Sequence, residues 1–402
     1  MVDSKPVPVI MFHSVGIRNK KWQYNFLTLY YRLFGKYLKW MKMMRFHSLF
    51  LPELYAYKAE GLRLPKNPVV LTFDDGFVDN WVFAYPLLKE YGFKGTFFVN
   101  PEFADPRNVM RKNLENARNG ELKLEELKNV GFLSWEEMKV MEEEGVADIQ
   151  SHTMTHTWYP NNNVVIDFRH PGDVYTWMTW NNNPMEKPYL QIDNKDYVNV
   201  GEPVYQYGRA IGVRRFFPDE SLKEYLLHYV KEKSVTFFKT ENWKGKLLRV
   251  VQDYKRENLL YERFETEKEY EERIFYELHE SKKIIESKLN KEIKFLCWPG
   301  GAVTDKALKM ASEVGYVMST FSSRELSAFY VDPKTKELDP SRIIRSGSSL
   351  YRKGETTIHF PPPFFVLKLK LYDTQKTDSH LKKMIALYYK KRHIKIAQYG
   401  KA

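Results

Sequence analysis

The chain has 402 residues, of which 43% are hydrophobic and 15% aromatic, enough for a large core in one domain or two. Its one cysteine, Cys297, excludes an intramolecular disulfide and suits a reducing compartment. The formal charge of +12 indicates an acidic partner, either an anionic membrane face or a phosphate-bearing sugar, with simple solubility as the alternative. No nucleic-acid-binding motif accompanies the charge, so no nucleic acid partner is predicted.

The predicted location follows from two missing patterns. The first residues lack an apolar segment of signal-peptide length, and no apolar run is long enough to span a membrane. We therefore expect a cytoplasmic protein, with peripheral contact at the inner membrane surface left open.

The first predicted element is an apolar strand over Val7–His13, which ends in a histidine. It is followed by a predicted helix over Asn25–Arg45, whose basic face is either solvated or in contact with a membrane.

Two adjacent carboxylates follow the next predicted strand, Val69–Leu71. The strand period of two sends Asp74 and Asp75 in different directions, and Gly76 permits a turn that a β-carbon would resist. One carboxylate is then free to bind a cation while its neighbour takes a proton, which is the division of labour that metal-assisted hydrolysis requires. The alternative is an ordinary turn at a strand end.

Helices and strands alternate after this point. The pattern predicts a helix over Asn80–Tyr91, a strand over Gly95–Val99 and a helix over Ser134–Glu144, with Ser134 as N-cap and Glu137 three places on. Such alternation predicts a parallel sheet or a barrel. In a barrel, loops at the carboxyl ends of the strands carry the chemistry.

A pair of histidines follows the short apolar run Val146–Ile149. His152 and His156 are spaced i and i+4, which places them on one face of a predicted helical turn, where they can bind one metal ion. With Asp75 they supply two nitrogens and one oxygen and leave coordination positions open, as in catalytic metal sites. The alternative is a structural or solvated histidine pair.

The run Thr72–Gly76 and the run His152–His156 resemble the first two motifs of the polysaccharide deacetylases, the NodB-homology or carbohydrate esterase 4 family. The resemblance implies a distorted (β/α) barrel that removes N-acetyl or O-acetyl groups from sugars with a divalent metal. It implies that Asp74 is the general base and that Asp75 is a metal ligand together with the two histidines. Zinc is the expected metal, with cobalt, nickel or manganese as alternatives.

The segment Ile10–Val15 resembles the N-terminal strand of a circularly permuted branch of this family, which includes the poly-N-acetylglucosamine deacetylases. The resemblance implies that His13 is the general acid that protonates the leaving amine. An unperturbed imidazole pKa of about 6.5 suits this role near neutral pH. The alternative is a histidine that only ends a strand.

The run Ile293–Gly301 resembles the third motif of the family, which has an arginine where this chain has Cys297 and an aromatic residue where it has Gly300. The resemblance implies that the backbone N–H of Gly300 helps to hold the oxyanion, a bond that needs no side chain. In the family this arginine pairs with the base carboxylate, and two arginines from the run Ser341–Arg345 are candidates to replace it. The residues assigned to substrate binding are Trp298, Pro299, Arg342 and Arg345.

The barrel is predicted in two parts, 1–160 and 286–350, around an insertion at 161–285 that forms a lid or a substrate-binding wall. The insertion is rich in tryptophan and tyrosine and carries loop signals at Asn161–Asn163 and Asn181–Pro184. Its aromatic faces would stack on sugar rings, and its arginines Arg209, Arg214 and Arg215 would hold a phosphate. The alternative is that most of these aromatics form the insertion's own core.

Residues 351–402 form a basic, aromatic C-terminal extension, which is either a membrane-surface helix or a peripheral packing element.

The combined prediction is a metal-dependent hydrolase that removes an N-acetyl or other N-acyl group from an amino sugar of a cell-envelope glycan or lipid-linked precursor. The first alternative is a catalytically silent glycan-binding protein on the same fold. The second is a module that binds acidic lipid or nucleic acid through the basic extension.

Overall fold

The computed structural model describes residues 6–189, 198–322, 341–353, 356–372 and Lys383. The described strands, in chain order, are β1 (Val9–Phe12), β2 (Ser14–Gly16), β3 (Thr28–Tyr30), β4 (His47–Leu49), β5 (Pro68–Phe73), β6 (Gly95–Val99), β7 (Ala147–Ser151), β8 (Trp158–Phe168), β9 (Pro203–Arg209), β10 (Phe216–Phe217), β11 (Arg263–Phe264), β12 (Phe295–Leu296), β13 (Met318–Ser322), β14 (Arg342–Gly347), β15 (Ser349–Lys353) and β16 (Thr356–His359).

The described α-helices are α1 (Tyr31–Met43), α2 (Leu51–Tyr55), α3 (Tyr85–Tyr91), α4 (Leu114–Arg118), α5 (Trp135–Glu143), α6 (Thr176–Asn182), α7 (Glu220–Lys233), α8 (Trp243–Glu257), α9 (Glu267–Phe275), α10 (Ser281–Leu289), α11 (Asp305–Val314) and α12 (Pro362–Lys370). Single π-helical turns lie at Ala56–Glu60, Asn80–Ala84 and Tyr276–Glu280.

Seven of the described strands close into a parallel barrel in the order β1-β14-β13-β12-β7-β6-β5, and β5 returns to β1. The closing register pairs Val9 with Val70 and Phe12 with Phe73. Strand β4 joins as an eighth strand, in parallel with the first half of β5. The (β/α) barrel that the sequence predicts is therefore confirmed.

Apolar side chains fill the barrel core, and they come from nearly every strand of the ring because alternate residues of a strand point inward. One cluster of buried core residues on the ring strands and directly after β12 comprises Val9, Val70, Phe98, Phe295, Cys297, Met318 and Ile343. The same alternation continues from Val70 to Asp74 and from Ile343 to Arg345. The strand period thus places these two polar residues above the apolar core.

The local elements around the barrel follow the sequence closely. The strand predicted over Gly95–Val99 is confirmed as β6. Helix α5 begins at the predicted capping box, in which the side chain of Ser134 accepts from the Glu137 N–H and the Glu137 carboxylate accepts from the Ser134 N–H. The helix predicted over Asn80–Tyr91 is present, although its first turn is π-helical rather than α-helical.

The loop predicted at Asn161–Asn163 is wrong, because these residues lie inside the long strand β8. The pairing of β8 with β9 is irregular between Pro160 and Val165, as expected for a β-bulge that absorbs unpaired residues. Asparagine disfavours strands only weakly, so the pairing with β9 overrides the local preference.

The chain divides into two compact units. The first, Met1–Thr153, Ser281–Gly301 and Gly315–Ala402, contains the barrel, and the second comprises Met154–Glu280 and Ala302–Val314. The second unit has an apolar core of its own, drawn from β8, α7, α8 and the 3-10 turn between the two helices, with members Phe168, Leu222, Leu226, Val230, Phe237, Leu247 and Val251.

Two of the arginines predicted to hold a phosphate have partners within the second unit. The backbone N–H of Arg215 donates to Glu265 Oε2 at 2.7 Å, and its guanidinium lies 4.4 Å from the ring centre of Tyr159. A guanidinium N–H of Arg214 donates to the Glu265 carbonyl. The guanidinium of Arg209 lies 5.3 Å from the ring of Trp158. At least Arg214 and Arg215 therefore serve the framework of this unit.

The described part of the C-terminal extension packs within the first unit. Helix α12 buries Phe365, whose ring stacks on Tyr37 of α1 with centroids 4.0 Å apart. Lys368 donates from Nζ to the Gly347 carbonyl at 2.8 Å. This supports the packing alternative for α12, whereas most of the extension beyond it lies outside the described residues. Among the described residues, no helix combines the length and apolar character that crossing a bilayer requires.

Candidate metal centre and catalytic carboxylate

Asp74 directly follows β5 and is 3% exposed. Arg345 Nη1 donates to Asp74 Oδ1 at 2.6 Å and Nη2 to Oδ2 at 2.8 Å, so the ion pair is bidentate. Burial alone would raise the pKa of Asp74, but the charge and hydrogen bonds of Arg345 outweigh burial and hold the pKa of this carboxyl below its ordinary value. Asp74 therefore stays ionised at neutral pH.

The guanidinium of Arg345 has two further partners, Thr72 Oγ1 at 3.2 Å and Cys297 Sγ at 3.0 Å. The small thiol of Cys297 thus lies against the arginine that arrives from β14. The other candidate, Arg342, has its guanidinium 5.1 Å from the ring centre of Phe321. Of the two arginines, Arg345 is the one that contacts Asp74.

His13 directly follows β1, and its Nε2 lies 3.9 Å from Asp74 Oδ2. This distance exceeds a hydrogen bond, so the two side chains face each other without direct contact. The backbone carbonyl of His13 accepts from Asn80 Nδ2 at 3.0 Å, which fixes the chain at this point. The side chain of His13 is 23% exposed, so it is open to solvent.

Asp75 and Gly76 form the turn that the sequence predicts after β5, with positive φ angles of 72° and 66°. A β-carbon on Gly76 would lie 3.1 Å from Val99 Cγ1, so both the conformation and the space favour glycine. The turn directs Asp75 Oδ1 towards His152 Nε2, 3.2 Å away. Asp74 and Asp75 consequently meet different partners.

His152 directly follows β7 and is 1% exposed. Its Nδ1 lies 2.8 Å from the Cys297 carbonyl oxygen, so in the neutral ring Nδ1 carries the hydrogen and Nε2 directs a lone pair at Asp75. Burial lowers the pKa of His152, but interactions with Cys297, Asp75 and Asp74 outweigh burial and raise the pKa well above its ordinary value. The space between His152 and Asp75 thus favours a positive charge.

The helical turn predicted for the two histidines is wrong. The segment 152–157 has no regular secondary structure, and Thr153 and His156 have positive φ angles of 64° and 44°. Asn100 explains part of the difference, because its Nδ2 donates to the carbonyls of His152 and Thr153 that a helix would use internally. Asn100 directly follows β6, and a polar residue after a barrel strand was a signal that the sequence reasoning did not use.

The side chains of the two histidines nevertheless lie close to each other. One potential ligand atom from each of Asp75, His152 and His156 lies within 4.8 Å of the other two. One oxygen and two nitrogens are a donor set that suits zinc and related divalent cations. The Nε2 lone pair of His152 and the Asp75 carboxylate oxygen repel each other unless a positive charge lies between them. These residues therefore fit a divalent cation.

Asp74, His152 and Cys297 form a second group with potential ligand atoms within 4.8 Å of one another. Here the guanidinium of Arg345 already contacts both Asp74 and Cys297. A second cation would be repelled by this charge, so the group is better explained as the binding site of the arginine side chain.

The remaining predicted residues lie on the turn after β12. Trp298 is 1% exposed, so its indole packs inside the protein and offers no face to a sugar. Pro299 is buried, and Gly300 is exposed with a φ of 54° and a ψ of 24°. The N–H of Gly301 donates to the Trp298 carbonyl at 3.0 Å and closes the turn.

The sequence profile of polysaccharide deacetylases matches residues 61–191 and 226–319, which together are more than half of the chain. The chain belongs to the polysaccharide deacetylase family. The family that the sequence motifs indicate is thereby confirmed. The match contains Asp74, Asp75 and both histidines, whereas β1 and Arg345 lie outside it.

Two curated polysaccharide deacetylases are similar over part of their length. YxkH of Bacillus subtilis (strain 168), named as a polysaccharide deacetylase, is 27% identical over 150 residues, which are 37% of this chain and 43% of YxkH. The poly-beta-1,6-N-acetyl-D-glucosamine N-deacetylase of Staphylococcus aureus is 29% identical over 122 residues, 30% of this chain and 35% of that protein. The alignments thus span less than half of either relative.

Solved structures of similar proteins include a de-N-acetylase from Aggregatibacter actinomycetemcomitans, with a TM-score of 0.47, 17% identity and coverage of 84% of this chain and 93% of that one. IcaB from Ammonifex degensii has a TM-score of 0.46, 13% identity and coverage of 91% and 97%. The fold assignment itself rests on the strand order and on the family match.

Proposed function

We propose that this polysaccharide deacetylase is a metal-dependent hydrolase that removes the N-acetyl group of an amino sugar in a cell-envelope glycan or its lipid-linked precursor. One observation carries the proposal: an ionised carboxylate, Asp74, is held by Arg345 directly beside Asp75. Asp75 in turn forms a cluster of potential metal ligands with His152 and His156. The name of the Staphylococcus aureus relative supports an N-acetylglucosamine-type substrate, and the formal charge of +12 supports an anionic or lipid-linked one.

In this proposal, Asp75, His152 and His156 hold the metal, with zinc as first choice and cobalt, nickel or manganese as alternatives. A bound divalent cation supplies polarisation of the amide carbonyl and a water of lowered pKa. The Cys297 carbonyl fixes the tautomer of His152, so that Nε2 keeps a lone pair. The turn at Asp75 and Gly76 aims the Asp75 carboxylate at the same point.

The proton transfers fall to residues beside this centre. Asp74 takes a proton from the attacking water, because it is ionised and Arg345 fixes the plane of its carboxylate. His13, whose Nε2 lies 3.9 Å from Asp74 Oδ2, protonates the departing amine. The exposed Gly300 N–H donates to the oxyanion. Acetate and a free amino sugar are the products.

The test is an acetate-release assay on N-acetylated amino sugars, with added zinc and with a chelator. Asp74→Asn removes the proton acceptor, and we expect acetate release to fall by about 10²–10⁴-fold. Asp253→Asn is the matched control, because Asp253 is 59% exposed and pairs with Arg256 on the surface of α8. We expect this control and the zinc-loaded wild type to behave alike.

A zinc-loaded wild type that binds amino-sugar oligomers but releases no acetate would contradict the proposal. That result would favour the glycan-binding alternative. Activity that survives complete chelation would contradict the metal dependence while leaving the deacetylase reaction in place. Release of O-linked acetate alone would redirect the proposal from an amide to an ester.

A further inference from the structure

A buried carboxylate holds the segment between the two histidines. Glu277 Oε2 accepts from the Met154 N–H at 3.1 Å and from the Thr155 N–H at 3.0 Å. Glu277 Oε1 accepts from the Thr155 hydroxyl. One side chain thus engages two consecutive peptide N–H groups and a side-chain donor in the segment that ends at His156.

Burial makes these hydrogen bonds strong determinants of local structure. Glu277 is 1% exposed, and both Met154 and Thr155 are 7% exposed. A buried carboxylate needs several hydrogen bonds to offset the loss of its hydration, and the N–H groups need an acceptor for the same reason. The opposite face of the segment is held as well, because Lys187, 2% exposed, donates from Nζ to the Thr155 carbonyl at 3.1 Å.

The backbone of the segment requires such support. Thr153 and His156 both have φ angles in the left-handed region, which is unfavourable for a residue with a β-carbon. A segment of this kind keeps its shape only where the surroundings determine it. Glu277 belongs to the π-helical turn Tyr276–Glu280, which continues directly from α9 and into α10.

We propose that Glu277 is a positioning residue of the metal centre: it fixes the Met154–Thr155 peptides so that the His156 ring is preorganised for the cation. The inference rests on the proposed function only in that it takes His156 to be a ligand. It assigns no contact between Glu277 and the metal or the substrate. Residues that orient metal ligands in this way typically change metal affinity by about 10–100-fold when they are replaced.

The first test uses the metal-free protein and needs no activity. Hydrogen exchange of the amides in 152–157 is measured by mass spectrometry for the wild type, Glu277→Gln and Glu277→Ala. We expect exchange to accelerate in the order wild type, Gln, Ala, because Gln keeps one acceptor oxygen whereas Ala keeps none. Glu272→Gln is the matched control, since Glu272 is 65% exposed and pairs with Lys268 on the surface of α9.

The second test is zinc affinity, measured by competition with a chromophoric chelator. We expect Glu277→Ala to weaken zinc binding by about tenfold or more, and Glu277→Gln and Thr155→Val to weaken it less. Wild-type affinity in all three variants, each shown by circular dichroism to be folded, would overturn the role of Glu277. If Glu277→Ala does not fold, Glu277→Gln and Thr155→Val decide the question by the same measure.

The two proposals fail in different ways. If the wild type binds no stoichiometric zinc and His152→Ala changes nothing, the metal centre is wrong and the role of Glu277 falls with it. If the wild type binds zinc and loses it in His152→Ala, but the Glu277 variants keep full affinity and slow amide exchange, only the role of Glu277 is wrong.

Discussion

At the scale of single residues, the ion pair of Asp74 and Arg345 dominates the candidate site. Both side chains are nearly buried, at 4% and 8% exposure. Removing one partner of a buried pair leaves an uncompensated charge, which costs about 3–5 kcal/mol of the free energy of unfolding. The pair therefore matters for folding as well as for the orientation of the carboxylate.

Arg345→Met keeps most of the side-chain volume and removes the charge. We expect the free energy of unfolding, measured by urea titration at pH 7, to fall by about 3 kcal/mol or more, and acetate release to fall with it. Arg345→Lys keeps the charge but loses the bidentate geometry, so its activity should lie between that of the wild type and that of Arg345→Met. Arg342→Met is the control, because Arg342 packs on Phe321. Equal effects of Arg342→Met and Arg345→Met would contradict the assignment.

The same pair sets an acid limit to stability. The pKa of Asp74 is lower in the folded chain than its ordinary value of 3.8, so the unfolded state binds the proton first as pH falls. The stabilisation from this group is therefore complete above pH 3.8 and is lost as pH falls through the folded pKa. In Arg345→Met the carboxyl loses the charge that lowers its pKa, and burial then raises the pKa of Asp74. The acid-dependent loss from this group should therefore disappear in the variant, and urea titrations between pH 3 and pH 6 should show it only in the wild type.

Asp79 behaves in the opposite way. It is 4% exposed, and burial raises its pKa to about 7, although hydrogen bonds from the Ser14 hydroxyl and the backbone of Val15 and Asn80 oppose the rise. Between the ordinary value of 3.8 and about 7, the folded state holds a proton that the unfolded state lacks. This group's contribution to stability is then fully present below pH 3.8 and declines with rising pH, by about 1.4 kcal/mol per pH unit, until about pH 7.

Asp79→Asn should remove this decline. An amide is neutral at every pH and can still accept from the Ser14 hydroxyl, so we expect the variant to be more stable than the wild type at pH 8 and similar to it at pH 4. Urea unfolding at the two pH values measures the difference. A wild type and variant with parallel pH profiles would show that Asp79 is ionised in the folded chain at neutral pH.

At the scale of elements, the turn after β5 separates the roles of the two carboxylates. Gly76→Ala would meet Val99 Cγ1 at 3.1 Å and would also occupy a left-handed conformation. Gly92→Ala is the matched control, because Gly92 has a φ of 74° but nothing within 4 Å of the added carbon. Both variants carry the conformational strain, of about 1 kcal/mol, and only Gly76→Ala carries the contact.

We therefore expect Gly76→Ala to lower the free energy of unfolding more than Gly92→Ala does, and to weaken zinc binding, which the control should leave unchanged. Urea unfolding and zinc competition measure the two effects. Equal zinc affinity in both variants would mean that the turn does not orient Asp75.

The sequence predicted elements well where one physical signal dominates. Strand β6 is rich in aromatic and β-branched residues, and α5 begins at a capping box, so local chemistry decides both. The prediction failed where tertiary contacts override local preference. The i,i+4 histidine spacing suggests a helical turn, but Asn100 takes the carbonyls that the turn would need. The asparagines of β8 are held in a strand by their partner β9.

At the scale of the whole molecule, metal binding should couple to stability, since a ligand that binds only the folded state stabilises it. We expect zinc at 100 times its dissociation constant to add about 2.7 kcal/mol to the free energy of unfolding of the wild type. Asp75→Ala and His152→Ala should lose this gain. His228→Ala is the control, because the side chain of His228 is 72% exposed on α7. The same gain in all variants would place the zinc elsewhere.

The candidate site was predictable where it is local in sequence and not where the barrel assembles it. Asp74, Asp75 and the histidines lie in two short runs that the family profile covers. Arg345 lies 271 positions from Asp74, and two arginines in one strand were equivalent until the register of β13 and β14 was known. Glu277 lies in a charge-rich run that favours a solvated helix, and its burial in the folded chain is what identifies it.

Strand β1 pairs with both β5 and β14, and this pairing has a practical consequence for fragment design. A truncated protein cut to the span of the family profile would begin after β1 and stop before β14. It would keep the four residues of the two motifs, but it would cut β13 after its second residue and leave unpaired N–H and C=O groups along β5, which invite aggregation. Expression trials should retain residues 6–372, because an aggregated fragment that lacks His13 and Arg345 would be mistaken for a silent enzyme.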